Sequence, residues 1–209
     1  VPLSHRNIAG NIDAILAHNV VTAGDSVLLP LPLHHSYPFI VGMLIPLIVG
    51  ATIVLPAGVS GPDIRRALAE GDVAVVVGVP RLYDALATGL VQRLRGGGAI
   101  EKAMYALLRL SGFLRRRFGV RWGRTLLKPM HARLAPKLRL LASGGAKLEA
   151  DTSWTLEAFG WMVLSGYGLV ETASISTFNP PGRAKLGSAG RPAPGVQVRI
   201  GEANEIGRA

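Results

Sequence analysis

The stretch Leu138-Arg-Leu-Leu-Ala-Ser-Gly-Gly-Ala146, followed by Glu149–Phe159 and then Trp161-Met-Val-Leu-Ser-Gly-Tyr-Gly168, decides the fold class. Its apolar runs, Leu138–Ala142 and Trp161–Leu164, read as strands, each closed by a glycine-containing turn, with a helix of ordinary length between them. A strand that is apolar along its whole length has both faces covered, which is the habit of parallel sheets with helices on either side. In such sheets ligands gather beyond the carboxyl ends of the strands.

The same alternation extends in both directions. Ser4 reads as the N-cap of a helix whose apolar face is Ile8, Ile12, Ile15 and Leu16. A strand at Ser26–Leu31, the loop Pro32-Leu-His-His-Ser-Tyr-Pro38, an apolar helix and a strand at Ala51–Leu55 follow. Helix Pro62–Ala69, strand Val73–Val77 and a helix opening at Pro80 come next, proline being well placed at a helix start. From Gly187 the chain turns glycine- and proline-rich and leads to an alternating run, Val196-Gln-Val-Arg-Ile200. The expected organisation is an α/β core of mostly parallel strands flanked by helices over 1–186, with the start of a β-rich subdomain at 187–209.

Composition narrows the function classes. With 49% hydrophobic and 17% charged residues in 209, the chain can bury a core and is not disordered. The absence of cysteine excludes a disulfide scaffold, a thiolate metal site and a cysteine nucleophile. Residues 26–62 contain no Asp, Glu, Lys or Arg, but Gly42, Pro46 and Gly50 interrupt them, so a buried helix and strand fit better than a membrane span. The net charge of +10 is confined to one place: residues 92–139 hold 13 Lys and Arg against the single acid Glu101. This insert reads as two or three amphipathic helices broken at Gly96–Gly98, Ser111–Gly112 and Gly119–Gly123. Its interleaved Tyr105, Phe113, Phe118 and Trp122 suit an anionic membrane, nucleic acid or an acidic partner, while a solvated basic face packed on the domain is the plain alternative.

Three loops that leave strands carry the chemistry. Ser143-Gly-Gly-Ala146 lets bare backbone approach a flat or anionic ligand, or is a simple tight turn. Tyr167, between Gly166 and Gly168, offers a ring for stacking, and Glu171 a carboxylate for Mg²⁺ or merely a solvated acid. Of His34 and His35, one is expected to line a pocket. A metal pair is disfavoured because neighbours on an extended loop point apart and no third ligand is spaced nearby.

In this order the motifs resemble the adenylate-forming acyl-CoA synthetase (AMP-binding) family, particularly its long-chain fatty-acid members. Val1-Pro-Leu-Ser-His-Arg-Asn-Ile8 is similar to the stretch that follows the family's Gly/Ser/Thr-rich phosphate loop. Pro32-Leu-His-His-Ser-Tyr37 matches its Pro-Leu-x-His segment, with His35 in the place of the characteristic His. Gly78-Val-Pro-Arg-Leu-Tyr83, Arg139–Ala146, Gly166-Tyr-Gly-Leu-Val-Glu-Thr172 and Gly187-Ser-Ala-Gly-Arg-Pro192 follow in family order.

The resemblance implies a ligase that converts a fatty acid and Mg·ATP to acyl-adenylate and pyrophosphate, then passes the acyl group to coenzyme A or, in relatives, to a carrier protein. It places Gly144, Gly145 and Ala146 along the adenine, Tyr167 stacked on it, Gly166, Gly168 and Thr172 around the nucleotide, and Glu171 on Mg²⁺. His35, Gly144, Gly166 and Leu169 would face the acyl path, with His35 and Glu171 as the catalytic pair. Lys147 stands where Pro is common, and Val170 where the family has a Thr whose hydroxyl donates to phosphate; Thr172, by turning its hydroxyl inward, or a water is expected to substitute, the alternative being a slow or divergent ligase. The phosphate loop and the distal lysine are expected outside this chain, which would by itself be inactive. A cytoplasmic ligase is expected, with peripheral contact of the 92–139 hairpin with anionic membrane and no nucleic-acid partner. The rival from another class is a non-catalytic basic module that binds membrane or nucleic acid.

Overall fold

The computed structural model describes residues 1–201. Among them a seven-stranded sheet runs in the order β2-β1-β3-β4-β5-β6-β7. Strands β1 (Ser26–Leu28), β2 (Thr52–Val54), β3 (Val75–Gly78), β4 (Leu140–Ser143) and β5 (Met162–Tyr167) are parallel. The two short edge strands β6 (Thr177–Phe178) and β7 (Arg191–Pro192) run antiparallel.

Alternate residues of each central strand feed two cores, as a doubly covered sheet requires. Val75, Val77, Leu140 and Leu164 face α1 (His5–Leu16) and the helical turns at Pro38–Leu44 and α2 (Ile45–Val49). Val76, Leu141 and Val163 face the other layer, built from α3 (Gly61–Glu70), α4 (Pro80–Gly96), α5 (Ala99–Phe118), α6 (Gly123–Leu126), α7 (Lys128–Leu134) and α8 (Ala150–Phe159). Helix α1 opens where the sequence places its cap, with Ser4 and Asn7 closing a reciprocal capping box.

Four expectations need correction. Helix α5 runs unbroken through Ser111–Gly112. These small residues are contact points instead: Ser111 is fully buried, and a Cβ on Gly112 would lie 3.3 Å from Ala158 of α8. Strand β1 stops at Leu28, before Pro30 and Pro32, which have no N–H to give the ladder. Strand β5 runs past the expected Leu164, because Gly166 and Tyr167 pair with Phe178 and Thr177. Residues 196–200 form no strand, and Ile200 is 95% exposed; Arg191–Pro192 instead extends the sheet. The rest of the 187–209 expectation, from 202 onward, lies outside the described residues.

The basic segment docks through acids supplied by its neighbours. Glu157 of α8, fully buried, accepts hydrogen bonds from Arg115 Nε (2.7 Å), Arg121 Nε (3.1 Å) and the backbone N–H of Val163. Arg139 reaches Asp25 at 2.6 Å and Lys137 reaches Asp72 at 2.8 Å. Desolvation pushes the Asp25 carboxyl up, but the Arg139 hydrogen bond, the Thr22 N–H and hydroxyl, and the Arg139 charge together hold it below its ordinary value.

Candidate active site

Beyond the carboxyl ends of β4 and β5 lies a cavity of about 580 Å³, within the size range of small-molecule sites. Its walls come from four places in the chain. The loop and helical turn after β1 give His35, Tyr37 and Val41; the turn after β4 gives Gly144, Gly145 and Ala146. Strand β5 with the following 3₁₀ turn (Val170–Thr172) gives Gly166, Tyr167, Gly168, Leu169, Val170 and Glu171. Ile15, Val20, Leu164, Ile175 and Phe178 add an apolar part of the wall.

Sequence-expected residues are therefore brought together from positions up to 136 residues apart, His35 and Glu171 being the extremes. His35 lines the cavity and His34 does not. Their rings stand 4.2 Å apart, because the loop is a turn entering a helix rather than extended chain. Thr172 lies outside the wall. Its hydroxyl donates to Leu169 O (3.1 Å) and accepts from Leu169 N (3.0 Å), so it is consumed in closing its own turn and does not turn inward.

Two glycines are required by close approach. A Cβ on Gly144 would lie 2.7 Å from the Tyr37 ring, and one on Gly168 would lie 1.6 Å from the Ser174 carbonyl oxygen. Gly145 takes φ +82°, the left-handed region that glycine enters without strain. Beneath the turn, the hydroxyls of Tyr37 (2.9 Å) and Tyr83 (2.6 Å) both donate to the carbonyl of Ala142, the residue before Ser143. Burial pushes both phenols well above their ordinary value, so each remains a proton donor that anchors the end of β4.

Sequence reading missed several members. Tyr37 carries no motif signal beyond its place after His35. Ser143 and Ser174 line the cavity, and their hydroxyls are buried with no hydrogen-bond partner among the described residues. Asn179, 1% exposed, bonds Ser165 O, Ser165 Oγ and Ser188 O and takes the N–H of Lys185, tying the segment after β6 to β5. Only a buried position distinguishes such an asparagine from a loop one, and burial is not written in a local pattern.

The electrostatics are simple. Among the described residues lining the cavity, Glu171 is the one acid and no Lys or Arg is present. Its carboxylate makes no ion pair or hydrogen bond with a described residue, and no three His, Cys, Asp or Glu gather to hold a metal. A lone free carboxylate on a glycine-lined rim suits a hard divalent cation shared with a ligand's own oxygens, since such cations take few protein carboxylates when phosphates are present.

A doubly covered parallel sheet with a glycine-rimmed cavity beyond its strand ends defines an α/β ligand-binding domain. The family model for the AMP-binding enzyme matches residues 1–207, and the chain belongs to that family. It is similar to the long-chain-fatty-acid–CoA ligase 2 of Schizosaccharomyces pombe, 28% identical over 221 residues that cover 99% of this chain and 32% of that protein. It is also similar to the mitochondrial malonate–CoA ligase of Mus musculus, 27% identical over 203 residues that cover 94% and 30%. The crystal structure of ATP-bound MatB from Rhodopseudomonas palustris shares the fold, with a TM-score of 0.70 at 24% identity over 97% of this chain and 33% of that one. The chain thus spans about a third of the length of the curated relatives it matches. Among the described residues no helix is long and apolar enough to cross a membrane.

Proposed function

We propose that this chain forms the acyl- and nucleotide-facing part of an ATP-dependent ligase that activates a fatty acid as acyl-adenylate and transfers it to coenzyme A. One observation carries the reading: a single cavity joins an apolar wall to a glycine-lined rim with one free carboxylate. In the first step a carboxylate oxygen bonds to the α-phosphorus of ATP and pyrophosphate leaves. In the second, a thiolate bonds to the acyl carbon and AMP leaves. Gly144, Gly145 and Ala146 let backbone lie along the adenine, with Gly166 and Gly168 leaving room behind it. Tyr167, 53% exposed, offers its ring for stacking. His35 stands beside the entering carboxylate, and Leu169 and Gly166 border the acyl path. Mg²⁺, held by Glu171 and phosphate oxygens, would supply the positive charge that this wall lacks. The chief contribution of these residues is to hold the reactants in line.

The apolar wall favours a fatty acid over a dicarboxylate. A malonyl group would bring a second carboxylate against Ile15, Val20, Leu164 and Phe178 with no Lys or Arg in the described wall, and an unpaired buried charge is strongly unfavourable. The test is binding of acyl-sulfamoyl-adenosines, stable acyl-adenylate mimics, to the chain by calorimetry. Affinity is expected to rise about fourfold for each added methylene until the cavity is full, from roughly 0.8 kcal/mol per buried CH₂. Affinity independent of acyl length, or preference for the malonyl mimic, would overturn the fatty-acid reading.

The hairpin 92–139 supports a peripheral contact with an anionic membrane. The outward stripe of α5 carries Lys102, Arg109 and Arg117, none with a carboxylate partner among the described residues. Beside them Leu110, Phe113, Phe118 and Trp122 are each 47–61% exposed, and Arg117 lies over the Phe118 ring. Unpaired cations beside exposed aromatic rings are the chemistry of an anionic lipid interface. The chain should sediment with phosphatidylserine-containing vesicles and not with phosphatidylcholine alone, and Arg109→Gln/Arg117→Gln should weaken this about thirtyfold. Equal binding to both vesicles, or tighter binding to duplex DNA, would contradict it. The start of a β-rich subdomain from 187 stays part of this proposed organisation, with its first strand, Arg191–Pro192, joined to the sheet of the core.

A further inference from the structure

The segment after the 3₁₀ turn holds a strained backbone for which the fold alone gives no reason. Ala173 takes φ 52° and Ser174 φ 92°, two successive non-glycine residues in the left-handed half of conformational space, where each such residue is disfavoured. Strain of this kind persists only when neighbours over-determine it. Here Asn11, buried on α1, donates its side-chain N–H groups to Ile175 O (2.7 Å) and Thr172 O (3.4 Å), gripping the segment on both sides. Ser174 N–H bonds Leu169 O at 3.1 Å, and the Ser174 carbonyl sits hard against Cα of Gly168. The strained serine, 6% exposed, lines the cavity, and its hydroxyl has no partner among the described residues. A buried hydroxyl without a partner is itself unfavourable. The fold thus accepts two unfavourable features at one residue of the cavity wall.

A third observation supplies the reason. Residue 170, on the rim of the same cavity, is valine and has no donor, and the Thr172 hydroxyl is already used by Leu169. Ser174 is the hydroxyl of this loop left uncommitted. We propose that Ser174 is a ligand-contacting residue, whose hydroxyl turns about Cα–Cβ to donate to an oxygen of the bound acyl-adenylate, and that Asn11 is the positioning residue that holds it there. No hydrogen bond is broken when the hydroxyl turns, because it makes none in the free chain. The inference rests on the acyl-adenylate reading of the cavity and goes beyond it in naming the donor.

The experiment is calorimetric binding of dodecanoyl-sulfamoyl-adenosine to the 209-residue chain and to Ser174→Gly, Ser174→Ala and Val170→Thr/Ser174→Ala, with thermal unfolding of each. Ser174→Gly relieves the positive φ and removes the orphan hydroxyl, so its Tm should rise while affinity falls about tenfold or more, as for a lost hydrogen bond to a charged oxygen. Ser174→Ala should lose affinity alike, and Val170→Thr should restore most of it by returning a donor to the rim. Asn11→Leu should lower affinity less than Ser174→Ala. Unchanged affinity in both Ser174 variants would overturn the proposal while leaving the acyl-adenylate reading intact. Failure of the unmodified chain to bind the mimic would instead remove the reading on which it rests. A purely structural Ser174 would lower Tm and affinity together.

Discussion

The two ends of β5 differ in how charge and backbone are held, although each has buried polar atoms without a described partner: Ser111 Oγ, His131 Nδ1 and Trp161 Nε1 near its start, Ser143 Oγ and Ser174 Oγ near its end. At its start, Glu157 and Val163 sit under the basic helices, and the buried charge there has all its partners: two guanidinium groups and a backbone N–H converge on one carboxylate. At its end, beyond Tyr167, polar groups lack partners and the backbone bends the wrong way. Ser143 and Ser174 hydroxyls are orphaned, Glu171 is free, and Ala173 and Ser174 hold positive φ. A satisfied network specifies structure, whereas unsatisfied groups in a cavity wall await something else. The sheet fixes the second set of groups by rigidly packing the first.

The sharpest way to break this comparison is at Glu157. Replacing it with alanine strands Arg115 and Arg121 and leaves the Val163 N–H unpaired, so unfolding free energy should fall by about 3–5 kcal/mol, measured by urea denaturation. The chain that remains folded should bind the acyl-adenylate mimic with nearly unchanged affinity. At the other end, Gly168→Ala drives a Cβ into the Ser174 carbonyl, which backbone cannot evade. About 3 kcal/mol of stability should be lost, and unlike the Glu157 variant it should abolish mimic binding even under conditions where it is folded.

A smaller effect separates the two regions by pH. His131 on α7 is buried against Trp161, and its Nε2 donates to Phe159 O at 2.8 Å. Desolvation lowers its pKa, opposed by the Phe159 hydrogen bond and aided by the Arg124 charge. The folded chain therefore binds fewer protons than the unfolded one below the ordinary histidine value of about 6.5. Stability contributed by neutral His131 is full above that value and is lost as pH falls through it toward the lower folded pKa. Urea midpoints between pH 7.5 and 5.5 should decline, and His131→Gln should flatten that decline. An equal slope in the variant would assign it elsewhere.

How much of this was legible in the sequence follows from what kind of signal each feature leaves. Strands β3, β4 and β5 are continuous apolar runs, and β4 and β5 end in glycine turns, so their existence and the position of the cavity rim could be read directly. Their ends could not. The extension of β5 to Tyr167 depends on pairing with Thr177, and the continuity of α5 through Ser111–Gly112 depends on Ala158, both contacts set by tertiary structure. The same holds at the rim. Tyr167 and Glu171 announce themselves by residue type beside glycines, and His35 by residue type in a loop that leaves a strand. Tyr37, Ser174 and Asn11 matter through burial and strain, which no local spacing records. Thr172 was misjudged because a hydroxyl three residues after Leu169 can close its own turn more cheaply than it can reach a ligand. The basic segment misled in the other direction: five of its cations pair with Asp25, Asp72, Asp151 or Glu157, acids that all lie outside residues 92–139.

The division of labour along β5 is tested most directly by hydrogen–deuterium exchange of the chain with and without dodecanoyl-sulfamoyl-adenosine. Binding at the rim should slow exchange over 143–146 and 166–176, where strained and unpartnered groups gain contacts. Helices α5 to α7 and the amide of Val163 should exchange as they do in the free chain. Protection confined to the basic helices, or an unchanged pattern at saturating ligand, would contradict the account and return the cavity to an unfilled gap between two well-packed layers.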